Sequence, residues 1–321
     1  MVANPDDLEI CKEITRKGGS NLSLISRGLN KPRRNLFAAC YASMRLIDDL
    51  VDENFLALSP EDRVAQRAEY IKRVDDWHNV SVAALRGHYI EPKFAYKLSK
   101  EKVNAIFRAL SATAGRSNIG PRPWIAMADA MRRDVREYPV DNWEDFSSYA
   151  SGATVSPTAI YLYILSTDYY AASDRYTGRS GDILMDRAKY IGQFCYLVHI
   201  ARDLVKDSTK NSQLLTIPRD LRSQISEPIT PEEIRNITVS ILRQASIYDL
   251  MMRDDVLDIE AELSRTNKTI FRALLGHYSN MYHKMRDDPM IASHPDFERE
   301  VRESNEDFHN LAEDIEGTED E

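Results

Sequence analysis

Tyr41-Ala-Ser-Met-Arg45-Leu-Ile-Asp48-Asp49-Leu-Val-Asp52-Glu53 is the stretch on which the fold turns. Leu36, Cys40, Tyr41, Met44, Ile47 and Val51 recur at helical spacing through it. The pattern predicts one long α-helix from about Pro32 to Phe55. On that helix Asp48 and Asp52 stand one turn apart on a single face. Like charges so placed repel, and the arrangement costs stability unless a cation answers it. The spacing returns far along the chain in Arg202-Asp203-Leu-Val-Lys206-Asp207, with Asp203 and Asp207 four residues apart. A hard divalent ion suits such oxygen donors. Magnesium takes one or two protein carboxylates and leaves its other positions to water and substrate phosphates. Mg2+, with Mn2+ as an alternative, is the cofactor this reading calls for, held by Asp48, Asp52, Asp203 and Asp207.

Outward from these motifs the same periodicity recurs and period-two alternation does not. Ser59-Pro60-Glu61-Asp62 reads as a capped helix start with proline in the first turn. Helices are expected over Lys100 to Ala114, Trp124 to Arg136 and Asp182 to Asp207. Gly115 to Pro123 reads as loop, and Asp141 as a cap with Glu144 three residues on. Phe146 to Thr167 carries no charge but holds Gly152, Pro157 and many Ser and Thr residues, so it reads as a buried helix pair. Ser208 to Pro231 is irregular. Thr230-Pro231-Glu232-Glu233 starts another helix, with proline at its first position, and two long helices are expected to follow to about Met285. The fold class is all-α: one helical domain over 1–300 and an acidic tail over 301–321 expected to be disordered.

Composition agrees. In 321 residues only 12 are glycine and 13 proline, which suits long helices. The net charge of −9 argues against a nucleic-acid partner, because phosphate backbones select basic patches. Cys11, Cys40 and Cys195 are too scattered for a disulfide framework or zinc site and read as reduced thiols. The polar, acidic start shows no signal peptide, so a cytoplasmic protein is expected.

A lone Asp pair on a helix is more often a solvated face than a metal site. Here each pair sits where an apolar helix meets polar residues, and each has cations beside it: Arg45, and Arg202 with Lys206. These cations are either salt-bridge partners or a diphosphate clamp. His199, one turn before Asp203, is by default a satisfied core residue rather than a ligand.

The order tyrosine, arginine, Asp-Asp-x-x-Asp-Glu, then a distant Arg-Asp-x-x-x-Asp, resembles the squalene/phytoene synthase family. Arg34, Ala130-Met-Arg-Arg-Asp134 with Tyr138, Tyr149-Ala-Ser-Gly152, Gly192 to Asp207, and Ile270 to Met285 with Tyr278 resemble its further segments. The likeness spans roughly residues 8 to 286. The chain departs from the pattern at Gly19-Ser20-Asn21-Leu22, at Tyr196 and His199, and at Ser208 to Gln213. The resemblance implies an isoprenoid-synthase helical bundle with a central cavity. The implied reaction is a metal-dependent head-to-head condensation of two allylic isoprenyl diphosphates. It implies catalytic roles for Tyr41, Arg45, Asp48, Asp52, Arg202, Asp203 and Asp207. Substrate contacts are implied for Arg34, Asp49, Asp134, Tyr149, Tyr196, His199, Lys206 and Tyr278. Tyr41, Tyr149, Phe194, Tyr196 and Tyr278 are rings that either face a carbocation or fill the core. Use of NADPH is undecided, and a lipid product is compatible with loose membrane contact. The rival readings are a cyclase or lyase acting on one prenyl diphosphate, and a non-catalytic scaffold relative.

Overall fold

Asn4 accepts a hydrogen bond from the Asp6 amide, and Pro5 opens the first helix, where its missing N–H costs nothing. Further helices begin the same way. Ser59 caps through the Asp62 amide (3.1 Å), and Thr230 and Glu233 form a capping box. In this computed structural model the described residues are 4–18, 26–94, 97–208, 214–223, 225–226 and 229–308. In chain order the first helices are α1 (Pro5–Lys17), α2 (Lys31–Asp49), α3 (Pro60–Leu85), α4 (Lys100–Ala112), α5 (Arg122–Val135), α6 (Trp143–Ala150) and α7 (Ser156–Ser166). Then come α8 (Gly181–Ser208), α9 (Arg219–Arg222), α10 (Pro231–Met251), α11 (Arg253–Glu262), α12 (Arg265–Asp287) and α13 (Phe297–Glu303).

The all-α expectation holds, but packing divides the chain into two units, Met1–Tyr138 with Ser151–Ala188, and Pro139–Ala150 with Lys189–Glu321. In the first, α1 lies on α2 and α4, α3 lies on α4 and α5, and α7 lies on α2 and α5. Trp77, Phe107 and Trp124 are fully buried there, and the Trp77 indole donates to the Ser43 carbonyl (3.0 Å). A polar indole tip reaching backbone fixes the α2–α3 contact in register as well as burying area.

The helix expected to reach Phe55 ends as an α-helix at Asp49, and Leu50–Phe55 continues as a π-helix. Its mark is the Leu56 N–H donating to the Val51 carbonyl, five residues back, at 2.9 Å. A second π segment, Ser151–Val155, lies between α6 and α7. Both π segments touch α5. Gly152 makes one contact possible: a Cβ there would stand 2.1 Å from the Ala126 carbonyl oxygen and 2.7 Å from the Ala130 Cβ.

Other expectations need correction. The cap before α6 is Asn142, which accepts from the Asp145 amide (3.0 Å), while Asp141 pairs with Arg219 at 2.6 Å. Both residues are good caps, and the ion pair decides between them. Three helices, α10 to α12, occupy the stretch after Thr230, parted at Met252 and at Leu263, and the middle one is short at ten residues. A two-stranded antiparallel hairpin, Asp168–Tyr170 with Arg175–Thr177, went unpredicted, since three-residue strands are too short to show alternation.

In the second unit α10 packs on α11 and α12, and α12 on α13. Gln193, fully buried, donates to the Ser147 hydroxyl (2.6 Å), and Phe194 meets Tyr282 edge-on at 5.6 Å. The expected disordered tail does not begin at 301. Val301, Asn305 and Phe308 are buried, and Asn305 donates to the Ala273 carbonyl (2.9 Å). The rest of that tail lies outside the described residues, as do Gly19 to Leu22 and most of Ser208 to Gln213. Cys11, Cys40 and Cys195 are free thiols, and burial pushes Cys11 and Cys195 up to about 12. No described helix is long and apolar enough to cross a membrane.

Candidate active site

In the first unit the acidic motif straddles the junction of α2 and the π-helix. Asp48 and Asp49 end the α-helical part, while Asp52 and Glu53 belong to the wider turn. Arg45 binds them together: its guanidinium lies 3.3 Å from Asp48, 2.6 Å from Asp49 and 3.1 Å from Glu53. One cation among so many carboxylates leaves negative charge in excess. Burial, then the neighbouring carboxylates Asp49 and Glu53 against Arg45, pushes Asp48 up to about 6. Burial, then Asp48, pushes Asp52 up to about 7. The Asp48 side chain stays 48% accessible, so water tempers this crowding and leaves room for a ligand.

Tyr41, one turn before Arg45, is buried and stacks on Phe37 at 5.7 Å. Its hydroxyl lies against Gly18, where a Cβ would stand 2.3 Å away. Arg34 spends its donors on backbone, reaching the Leu29 carbonyl (2.9 Å) and the Arg27 carbonyl (2.7 Å), and so clamps the turn Ser26–Gly28 ahead of α2. Asp134 lies at the end of α5, and Tyr138 is exposed.

Sequence reasoning missed what supports the π-helix. Arg63, on α3 and only 6% exposed, donates to the carbonyls of Leu56 (3.1 Å) and Leu58 (3.2 Å) just beyond it. Glu137 holds Arg63 at 2.9 Å and also pairs with Arg67. Glu137 has φ 55, a left-handed conformation that costs a non-glycine residue energy and is held by these ion pairs. A Pro-Glu-x-Arg type spacing carries no such message, because the partners meet only in the fold.

In the second unit the motif on α8 is an ordered cluster. Arg202 grips Asp203 with two bonds, Nε to Oδ1 at 2.9 Å and Nη2 to Oδ2 at 2.8 Å. His199 Nδ1 lies 3.0 Å from Arg202 Nη2, and its Nε2 lies 3.2 Å from Asp203. An Arg donor on Nδ1 requires the Nε2–H tautomer, so a neutral His199 donates to Asp203. Burial, then Arg202, agrees by pushing His199 down to about 4. Burial alone would raise Asp203, but the Arg202 hydrogen bonds, the contact with His199 and the charges of Arg202 and Lys206 outweigh it and hold the carboxyl below the usual range. Asp207 follows in the last turn of α8, with Lys206 exposed beside it.

Tyr196 stacks between Phe146 (5.9 Å) and His199 (6.5 Å), with Tyr149 at 6.4 Å. These rings form one aromatic wall leading to the motif. Phe194, fully buried against Tyr282, belongs to the core. The Tyr278 hydroxyl is raised by burial and feels Arg202, Glu298 and Asp203, which places it beside the cluster. Among the described residues no three His, Cys, Asp or Glu side chains converge as a metal-binding group. Asp48 and Asp52 nonetheless fit a hard cation by their chemistry: two oxygen-donor carboxylates at helical spacing, with Asp49 and Glu53 beside them, crowd negative charge that a divalent ion would offset.

An all-helical architecture carrying two aspartate-rich helix segments is the class that fold and site define together. A family profile described as squalene/phytoene synthase matches residues 15–245, and the chain belongs to that family of prenyltransferases. The class of reaction that membership brings is the head-to-head condensation of prenyl diphosphates. Among curated proteins no sequence matches this chain. Solved structures share its fold. A dehydrosqualene synthase in complex with ligand is 15% identical, with TM-score 0.61, over 95% of this chain and 97% of its own. The squalene synthase HpnC from Alicyclobacillus acidocaldarius is 20% identical, with TM-score 0.57, over 88% and 94%. A ligand complex of TcSQS is 11% identical, with TM-score 0.67, over 97% and 90%.

Proposed function

We propose that this chain joins two allylic isoprenyl diphosphates, farnesyl or geranylgeranyl, in a magnesium-dependent 1′–1 condensation that passes through a cyclopropylcarbinyl diphosphate. The observation that carries the reading is the pair of aspartate motifs, each with its own arginine: Asp48 and Asp52 beside Arg45, and Asp203 and Asp207 beside Arg202. These four aspartates, two in each motif, are the proposed ligands for divalent ions, which would neutralise charge on a departing diphosphate.

The chain's own groups have distinct work. Arg45, Arg202 and Lys206 bind diphosphate oxygens, the arginines by paired N–H groups and the lysine as a point charge. Tyr149, Tyr196 and Tyr278 present ring faces that favour a carbocation and exclude water. Tyr41 is proposed to act near the reacting carbon. As the C–O bond of the first substrate breaks, its electron pair leaves with diphosphate. The double bond of the second substrate attacks the allylic cation, and loss of a proton closes the cyclopropane. Loss of the second diphosphate and rearrangement follow. Proton loss then gives a dehydrosqualene- or phytoene-type hydrocarbon, whereas hydride from a reductant such as NADPH gives squalene.

Mass analysis of the hydrocarbon formed from each prenyl diphosphate, with and without NADPH, tests the reading. Doubling of the carbon count is expected. A product with the carbon count of a single substrate would replace the proposal with a one-substrate cyclase or lyase.

A further inference from the structure

Glu298 lies beyond the motifs and beyond the stretch matched by the family profile, on α13. Its carboxylate oxygen Oε1 stands 3.2 Å from Arg202 Nη1. The helix that carries it is pinned by Phe297 and Val301, 2% and 0% exposed, so Glu298 is presented to Arg202 from a fixed base. Behind it His277 Nε2 lies 4.0 Å away, beyond hydrogen-bond reach.

The donors of Arg202 can be assigned one by one. Nε and Nη2 serve Asp203, Nη2 also reaches His199, and Nη1 serves Glu298. Arg202 is 15% exposed, so its charge needs partners within the protein. Asp203 in turn accepts from Arg202 and from His199, which occupies most of its lone pairs. A carboxylate so gripped is a poor metal ligand until the arginine lets go.

The geometry points to Glu298 as a positioning residue: it is the second carboxylate on which Arg202 rests, and it lets Asp203 release the guanidinium and turn to a divalent cation. This inference rests on the assignment of Asp203 as a metal ligand. Removing the Glu298 charge leaves Arg202 with Asp203 as its one carboxylate partner among the described residues, which tightens that grip. It also takes one negative charge from the neighbourhood of the cation. Both effects weaken metal binding.

Mn2+ binding to the full chain, followed by electron paramagnetic resonance with inorganic diphosphate present, reads this directly. Glu298→Gln is expected to raise the Mn2+ midpoint about tenfold, the usual scale for a partner of a ligand. Thermal stability should stay at the wild-type level, and Glu298→Asp should recover part of the affinity. A Glu298→Gln curve that overlays wild type while Asp203→Asn shifts would overturn the role of Glu298 alone. Coincident wild-type and Asp203→Asn curves would sink the metal assignment and this inference with it. A lowered melting temperature with no recovery in Glu298→Asp would reduce Glu298 to a packing contact.

Discussion

His277 is wholly buried in α12, and neither ring nitrogen has a hydrogen-bond partner among the described residues. Burial, then Arg202 and Arg302, pushes it down to about 4. The unfolded chain binds this proton near pH 6.5, so between about 6.5 and 4 the unfolded state holds more protons. Stability therefore falls as pH drops through that window and is complete above it. The His277 share is at most on the order of 3 kcal/mol. Urea denaturation of wild type and His277→Leu across this range checks the claim: the variant should show the shallower slope, and parallel slopes would refute it. Asp48 is the residue on which catalysis is expected to depend most in the first motif. Asp48→Asn should lower the rate about a hundredfold or more at saturating magnesium, by loss of transition-state charge stabilisation. Wild-type turnover would show that this carboxylate does not hold the ion. The pairing of Arg45 with Asp48 and of Arg202 with Asp203 was legible from the sequence because the spacing is local. Glu298, Arg63 and Glu137 were not, because an ion pair between distant segments leaves no mark on either segment.

Most of the elements could be read from apolar periodicity and capping residues, since α2, α3, α5 and α8 bury one continuous face and start on Asn, Ser or Pro signals. The π segments escaped, because widening a helix by under one residue over a single turn does not disturb the apolar pattern enough to see. They are where α5 matters. Gly152 sits so close to the Ala126 carbonyl that Gly152→Ala must move backbone, a cost of about 1–3 kcal/mol. Chemical denaturation should show that loss together with reduced activity. An unchanged midpoint would mean that the second π segment shifts freely on α5.

At the scale of the molecule, the fold is shared with structures that agree at few positions, such as the 15% identical dehydrosqualene synthase. Burial patterns constrain such a bundle far more loosely than chemistry constrains its motifs. The net charge of −9 bears on where a greasy product could be delivered. Anionic bilayers should repel the protein, so it should fail to sediment with phosphatidylserine vesicles at low ionic strength. Strong sedimentation would reveal a basic face that the overall charge conceals.

The Leu50–Phe55 segment has one more consequence. A π-turn is an α-helix with one residue too many, so deleting Val51 would let an unbroken helix run on towards Ser59. That shortened chain would gain a more regular hydrogen-bond ladder and lose the placement of Asp52 and Glu53. One residue more or less in the backbone, rather than any change of side chain, would thus re-aim the carboxylates that follow it.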